Sequence, residues 1–134
     1  MKYFFYEKEI KSLLTSSVDK RIRYFIHKVA DWEYLYLPYD KQRGLDTVYD
    51  DAGQKGVCVW PFKEFAEVYY KDNLIMKERV KKMSIYKFLK EYVDDLAQLN
   101  TNIFVFPVRN KDCACMSAEK FKLYMEEELE KYTP

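Results

Sequence analysis

Tyr34-Leu35-Tyr36-Leu37-Pro38-Tyr39 alternates aromatic and aliphatic side chains, and the segments behind it decide the fold. Asp40-Lys41-Gln42-Arg43-Gly44 reads as a turn, and Leu45-Asp46-Thr47-Val48-Tyr49-Asp50 alternates as a second strand. Asp51-Ala52-Gly53-Gln54-Lys55-Gly56 is another turn, and Val57-Cys58-Val59-Trp60 is a short apolar strand. Period-two alternation sends successive side chains to opposite faces, and turn residues at this spacing join strands as hairpins. The three strands predict an antiparallel meander. Pro38 has no N–H to give a ladder, so it is expected at a strand end or edge.

Helical periodicity surrounds the meander. Upstream, 6–14 reads as a short helix, and Ser16-Ser17-Val18-Asp19 matches a capping box. Val18, Ile22, Phe25, Ile26 and Val29 share one face, which predicts a helix over 17–30. Downstream, Pro61 opens a helix to about Asn73 with Phe62, Phe65, Ala66 and Tyr69 as its stripe. Leu74-Ile75-Met76 begins a fourth strand running towards Val80. Ser84 caps a helix in which Ile85, Phe88, Leu89, Tyr92, Val93 and Leu96 keep the i, i+3, i+4 rhythm. Ile103–Phe106, stopped by Pro107, and Cys113–Met116 are strands around a turn at 109–112. Ser117 caps a last helix with Phe121, Tyr124, Met125, Leu129 and Tyr132 turned inward. Hairpins dominate, and regular βαβ alternation is absent. The expectation is α+β: a mainly antiparallel sheet of about five or six short strands packed with four helices. One domain is expected over 1–134, with 1–15 as an N-terminal extension or short helix.

Composition narrows the function classes. The chain has 134 residues, 23 Lys and Arg against 22 Asp and Glu, three glycines and one histidine. A net charge of +1 argues against a generic nucleic-acid or membrane-surface binder. So few glycines and histidines leave no glycine-rich phosphate loop and no histidine-built metal site, and no cofactor is expected. No apolar run reaches the roughly 18–20 residues that span a bilayer. Cys58, Cys113 and Cys115 have no disulfide-framework spacing and read as reduced thiols, so a cytoplasmic setting is expected. Aromatic residues make up 18% of the chain, with 13 tyrosines and 9 phenylalanines. Phe25, Phe62, Phe65, Phe88, Phe104, Phe106 and Phe121 fall on core stripes; the tyrosines are what remains to be explained.

Candidate chemistry is sparse. His27 lies beside its helix stripe, which reads as a boundary or surface position. Cys113 and Cys115 on a strand would share one face about 7 Å apart, too far for a relaxed disulfide, and read as core packing. Asp50-Asp51 and Asp94-Asp95 diverge as sequence neighbours, the first as turn chemistry and the second as a solvated helix end. No catalytic residue and no metal ligand is therefore assigned. Lys77, Arg79, Lys81, Lys82, Lys87 and Lys90 face only Glu78 in their segment, a local +5 that suits an acidic protein better than nucleic acid. Trp32 and Trp60 stand at helix–strand junctions, where indoles plug cores with the N–H on a carbonyl, or line a groove.

The chain resembles a known family, the bacterial domain of unknown function 2750, from about Tyr24 to Glu128. The carriers are Tyr24-Phe25, Val29-Ala30-Asp31-Trp32-Glu33, Val59-Trp60-Pro61 with Glu64-Phe65-Ala66, and Phe88-Leu89 with Tyr92 and Leu96. Phe106-Pro107 and Ser117-Ala118-Glu119 complete them. Where the family is often polar or His after the Trp-Pro pair, this chain has Phe62, so no role carries over there. The resemblance implies no activity. In appearance such domains are similar to immunity and interaction proteins that neutralise or tether a partner.

The resulting expectation is a protein-binding module, more a binder than an enzyme. Its candidate binding residues are Asp31, Trp32, Tyr34, Tyr36, Tyr49 and Trp60, with the Lys77–Lys90 segment steering an unknown protein partner. The alternative is a small-molecule binder or small enzyme with a pocket near Trp32 and Trp60.

Overall fold

The computed structural model describes residues 7–132, so the expected helix start at Tyr6 lies outside the described residues. Two helices come first, the short α1 (Glu7–Leu14) and the longer α2 (Val18–Trp32). Ser17 caps α2 by accepting the Lys20 N–H at 3.2 Å. Glu33 ends it in the left-handed region at φ 68°, where its N–H donates to Val29 O at 2.8 Å. The turn of chain direction at Glu33 starts β1 (Tyr34–Asp40), followed by β2 (Gly44–Leu45), β3 (Val48–Tyr49) and β4 (Lys55–Val59). Then come α3 (Lys63–Tyr70), α4 (Leu74–Arg79), β5 (Val80–Ser84), α5 (Ile85–Glu91) and α6 (Val93–Gln98). The chain closes with β6 (Asn102–Val105), β7 (Ala114–Met116) and α7 (Ala118–Glu130).

The fold is α+β and four of its five strand pairings are antiparallel, but the strands form two sheets where one was expected. A three-stranded sheet has the order β2-β1-β5, and a four-stranded one has the order β3-β4-β6-β7. The second is mixed, because β4 and β6 run parallel, with Cys58 opposite Phe104. Parallel neighbours need a long crossover. Here it is everything from α3 to α6. The predicted meander is split: β2 pairs with β1, β3 pairs with β4, and the two hairpins belong to different sheets.

Seven helices are present among the described residues, where four were expected. The 61–73 helix ends at Lys71, whose φ of 53° breaks it. Leu74–Met76 is helical rather than extended, because the Asn73 side chain accepts the Met76 N–H at 3.2 Å and starts α4. The fourth strand begins only at Val80. The 84–96 helix is broken at Tyr92, whose φ of −118° separates α5 from α6. Tyr124 and Tyr132, expected inward, are exposed.

Side chains explain the joins. All seven phenylalanines assigned to core stripes are buried. Phe121 of α7 packs on Phe25 of α2 and Phe88 of α5, with ring centres 5.9 and 5.7 Å apart. Phe65 of α3 meets Phe106 at 4.7 Å. Pro38 lies within β1, not at its end, and its carbonyl accepts the Asp46 N–H at 3.1 Å. No ladder donor is required there, since in an antiparallel strand alternate residues turn away from a given neighbour.

Gly56 lets two strands approach. A Cβ there would stand 2.6 Å from the Phe104 ring, which is itself buried. Gly56→Ala is expected to cost about 1–3 kcal/mol through overpacking. Urea unfolding should show that loss shrinking when Phe104→Leu is introduced beside it.

Candidate functional site

Two backbone hydrogen bonds join the sheets. Tyr36 N–H donates to Trp60 O and Trp60 N–H to Tyr36 O, both at 2.9 Å. Paired residues of such a bridge present their side chains on one face. Trp60 is fully buried there, its Nε1–H donating to Pro107 O at 3.0 Å. This is the plug with a carbonyl partner that its junction position predicts. Tyr69 and Tyr70, at the end of α3, each place a ring 5.4 Å from the indole. Pro107 follows Phe106, a bulky residue at φ 51°. Strain of that kind persists only where the surroundings hold it. Here Phe106 N–H on Val59 O at 2.8 Å and the Trp60–Pro107 bond hold it.

The remaining candidate residues are not brought to one place. Tyr36 is half-buried beside Trp60, and burial with the nearby Glu64 raises its phenol above the usual range. Tyr34 is 41% exposed, with Lys82 Nζ 4.1 Å from its ring centre. Trp32 is 36% exposed and packs edge-on against Phe62 at 5.7 Å, so it borders the surface instead of plugging the core. Asp31 is exposed in the last turn of α2; the Tyr132 phenol is raised above its usual range by desolvation first and then by the carboxylates of Asp31 and Glu128. Tyr49, 70% exposed, stands on β3 of the four-stranded sheet, whereas Tyr34 and Tyr36 stand on β1 of the three-stranded one.

Tyr49 borders a cleft of about 530 Å³. Cys58, Phe104 and Cys113 line it, together with Tyr69 and Tyr70 from the end of α3. Asp50 and Asp51 lie at the β3–β4 turn, and Arg109 and Lys111 in the loop after β6. Asp50 shapes its own turn, its Oδ1 accepting the Ala52 N–H at 3.0 Å and the Gln54 N–H at 2.7 Å. Arg109 Nη1 donates to Tyr69 O at 3.1 Å, tying the loop to α3. The same loop is held from below by Arg21, a buried side chain donating to Asp112 O at 2.6 Å and Ser16 O at 2.7 Å.

The sequence reading missed this cleft. Arg109 and Lys111 looked like ordinary turn residues. The signal available was the doublet Tyr69-Tyr70: adjacent helical residues diverge by about 100°, so both cannot lie on one core stripe. Cys113 and Cys115 are exposed, not core packing, because Ala114 and Met116 take the inward positions of β7. His27 is exposed, as its boundary position suggests, and lies elsewhere between α2 and α7, with Tyr132 Oη 2.9 Å and Glu128 Oε2 3.6 Å from its Nδ1. Among the described residues no three His, Cys, Asp or Glu side chains converge as a metal site, and no helix is long and apolar enough to cross a membrane.

Residues 22–125 match the family described as protein of unknown function (DUF2750). The chain belongs to this family. The matched segment runs from α2 into α7 and so takes in both sheets, the Tyr36–Trp60 seam and the cleft. No curated protein and no solved structure matches the chain. The DUF2750 description names no reaction, so the chemistry must be read from the side chains themselves.

The thiols read clearly. Burial, with Cys113 nearby, pushes Cys58 up to about 12. Desolvation at the cleft wall and Cys115 push Cys113 up to about 11, against the pull of Arg21. Both are protonated at neutral pH, whereas the thiolate is the nucleophilic form. The linkage follows from the raised value. The unfolded Cys58 thiol ionises above about pH 9, while the folded one keeps its proton to about pH 12. Stability is therefore lost as pH rises through that window. Removing Cys58 with Cys58→Ala is expected to flatten the decline in unfolding free energy by up to about 1.4 kcal/mol per pH unit. Denaturant unfolding at pH 9, 10 and 11 measures it.

Proposed function

We propose that the chain is a protein-binding module that holds or neutralises an acidic partner, acting by binding and not by chemistry. The observation that carries this reading is the unpaired edge of β5. Among the described residues β5 pairs only with β1, where Leu35 faces Met83, Tyr36 faces Lys82 and Leu37 faces Lys81. Tyr36 spends both backbone groups on Trp60, on the side away from β5. By antiparallel alternation, Lys82 then turns its own N–H and C=O outward, away from β1. An edge of this kind accepts an extended segment as an added strand.

Charge selects which segment. Lys81 and Lys82 lie on β5 itself, with Lys77 on α4 before it and Lys87 on α5 after it, and none of these four forms an ion pair among the described residues. Lys90 instead lines a groove between α5 and α7 with Glu126 and Glu130. Arg79 differs, spent on Asp40 at 3.8 Å and Asp46 at 3.4 Å. The ammonium groups of Lys81 and Lys82 on the edge strand, with Lys77 and Lys87 near them in sequence, disfavour a second copy of this chain and favour an acidic extended segment. Tyr34, under the Lys82 ammonium, and Trp32 supply the aromatic margin of the surface. Lysines on an edge also guard against unwanted pairing. Two exposed ones on a five-residue strand make the edge selective for opposite charge.

The experiment is selection of displayed random peptides against the full chain. Enriched peptides are expected to alternate apolar and acidic residues. Their affinity should fall at least tenfold with Lys81→Glu and Lys82→Glu together, and fall again when a central peptide residue becomes proline. Neutral peptides whose binding ignores both changes would overturn the reading.

A further inference from the structure

The cleft beside Trp60 lies on the other sheet, and the acidic-segment reading does not use it. We propose that it binds a mononucleotide whose base carries an exocyclic amino group. Three features of the cleft converge on that chemistry: its aromatic middle, its cationic end and its acidic end.

The middle is aromatic. Tyr49, Tyr69, Tyr70 and Phe104 all line the cleft, Tyr49 exposed and Phe104 buried. Trp60 backs Tyr69 and Tyr70, with ring centres 5.4 Å away, so they are held in place before any ligand arrives. Tyr69 and Tyr70 meet edge to face at 81°, so only one of the two can lie face-on to a planar heterocycle, and the exposed Tyr49 ring offers a second stacking surface. The volume, about 530 Å³, suits a ligand of nucleotide size and would leave an amino acid loosely held.

The two ends carry opposite charge. Arg109 and Lys111 follow the last residue of β6, at the carboxyl ends of the parallel strands β4 and β6. Neither forms an ion pair among the described residues. Arg109 is oriented by its bond to Tyr69 O, which leaves most of its donors for an incoming anion. A phosphate matches a fixed guanidinium beside a mobile ammonium. At the amino ends of the same strands, Asp50 commits Oδ1 to its turn while its Oδ2 takes no hydrogen bond among the described residues, with Asp51 exposed beside it. A carboxylate accepts from an amine and repels a phosphate. The levels of the two ends differ by the rise from Gly56 to Val59, three residues or about 10 Å. That separation places the phosphate at one end and the base amine at the other, with the rings between.

The test uses the full chain, calorimetric titration and the indole N–H signal of Trp60, assigned by its loss in Trp60→Phe. Adenosine monophosphate is expected to bind at least tenfold tighter than adenosine, than inorganic phosphate, and than inosine monophosphate, which lacks the amino group. Lys111→Glu leaves the Arg109–Tyr69 bond intact and should weaken adenosine monophosphate at least fivefold without changing adenosine. Tyr49→Ala should weaken both, with an unchanged melting temperature showing that the fold is kept. Equal affinity for adenosine monophosphate and adenosine, indifference to Lys111→Glu, or no saturable binding at millimolar ligand would each overturn the proposal.

Discussion

The pairing of Tyr36 with Trp60 is the constraint on which the rest of the structure rests, because it turns two small sheets into one layer. Sheets of three and four strands need a covered hydrophobic face to be stable, and here that face is one shared core. The two hydrogen bonds between these residues put β1 beside the end of β4, and the indole anchors the join in the core. From that anchor one bond reaches Pro107 and two ring contacts reach α3. The seam therefore fixes the helix, the loop after β6 and the wall of the cleft together. A loosened indole would move all three.

Buried polar groups complete this arrangement. Arg21 is nearly inaccessible, yet its partners are backbone carbonyls, and its Nε has no acceptor. A buried cation of this kind is costly by itself. Desolvation lowers its pKa, and the nearby Cys113 and Asp112 oppose that shift. What it achieves is positional: it ties the start of α2 to the loop carrying Arg109 and Lys111. Phe106 at φ 51° is a second local cost in the same loop. Unfavourable features gathered in one loop, each held by its neighbours, make that loop a fixed wall.

A net charge of +1 conceals a strongly patterned surface. Cations gather along α4, β5 and α5, while Glu126, Glu127, Glu128 and Glu130 lie on α7. Separated charge of this sort steers approach and excludes wrong partners more than it adds stability.

Periodicity and capping were legible in the sequence because they are local. Ser84 and Ser117 cap the helices they were expected to cap, α2 is capped by Ser17, one residue beyond the Ser16 of the expected capping box, and every phenylalanine placed on a core stripe is buried. The family was legible too, through Asp31-Trp32-Glu33 and Val59-Trp60-Pro61. Sheet membership was not. Leu45–Asp50 reads as one strand, but pairing cuts it into β2 and β3 on different sheets. The parallel register of β4 and β6 joins residues some 46 positions apart, as with Cys58 and Phe104, and no turn motif encodes it. The candidate site divided along the same line. That Trp60 would plug a junction follows from an indole's need for both burial and an acceptor. That Tyr34 and Tyr49 would part, that Cys113 would face solvent, and that Arg109 would meet Tyr69 were decided by the crossover, because tertiary contacts choose among faces that local patterns leave equivalent.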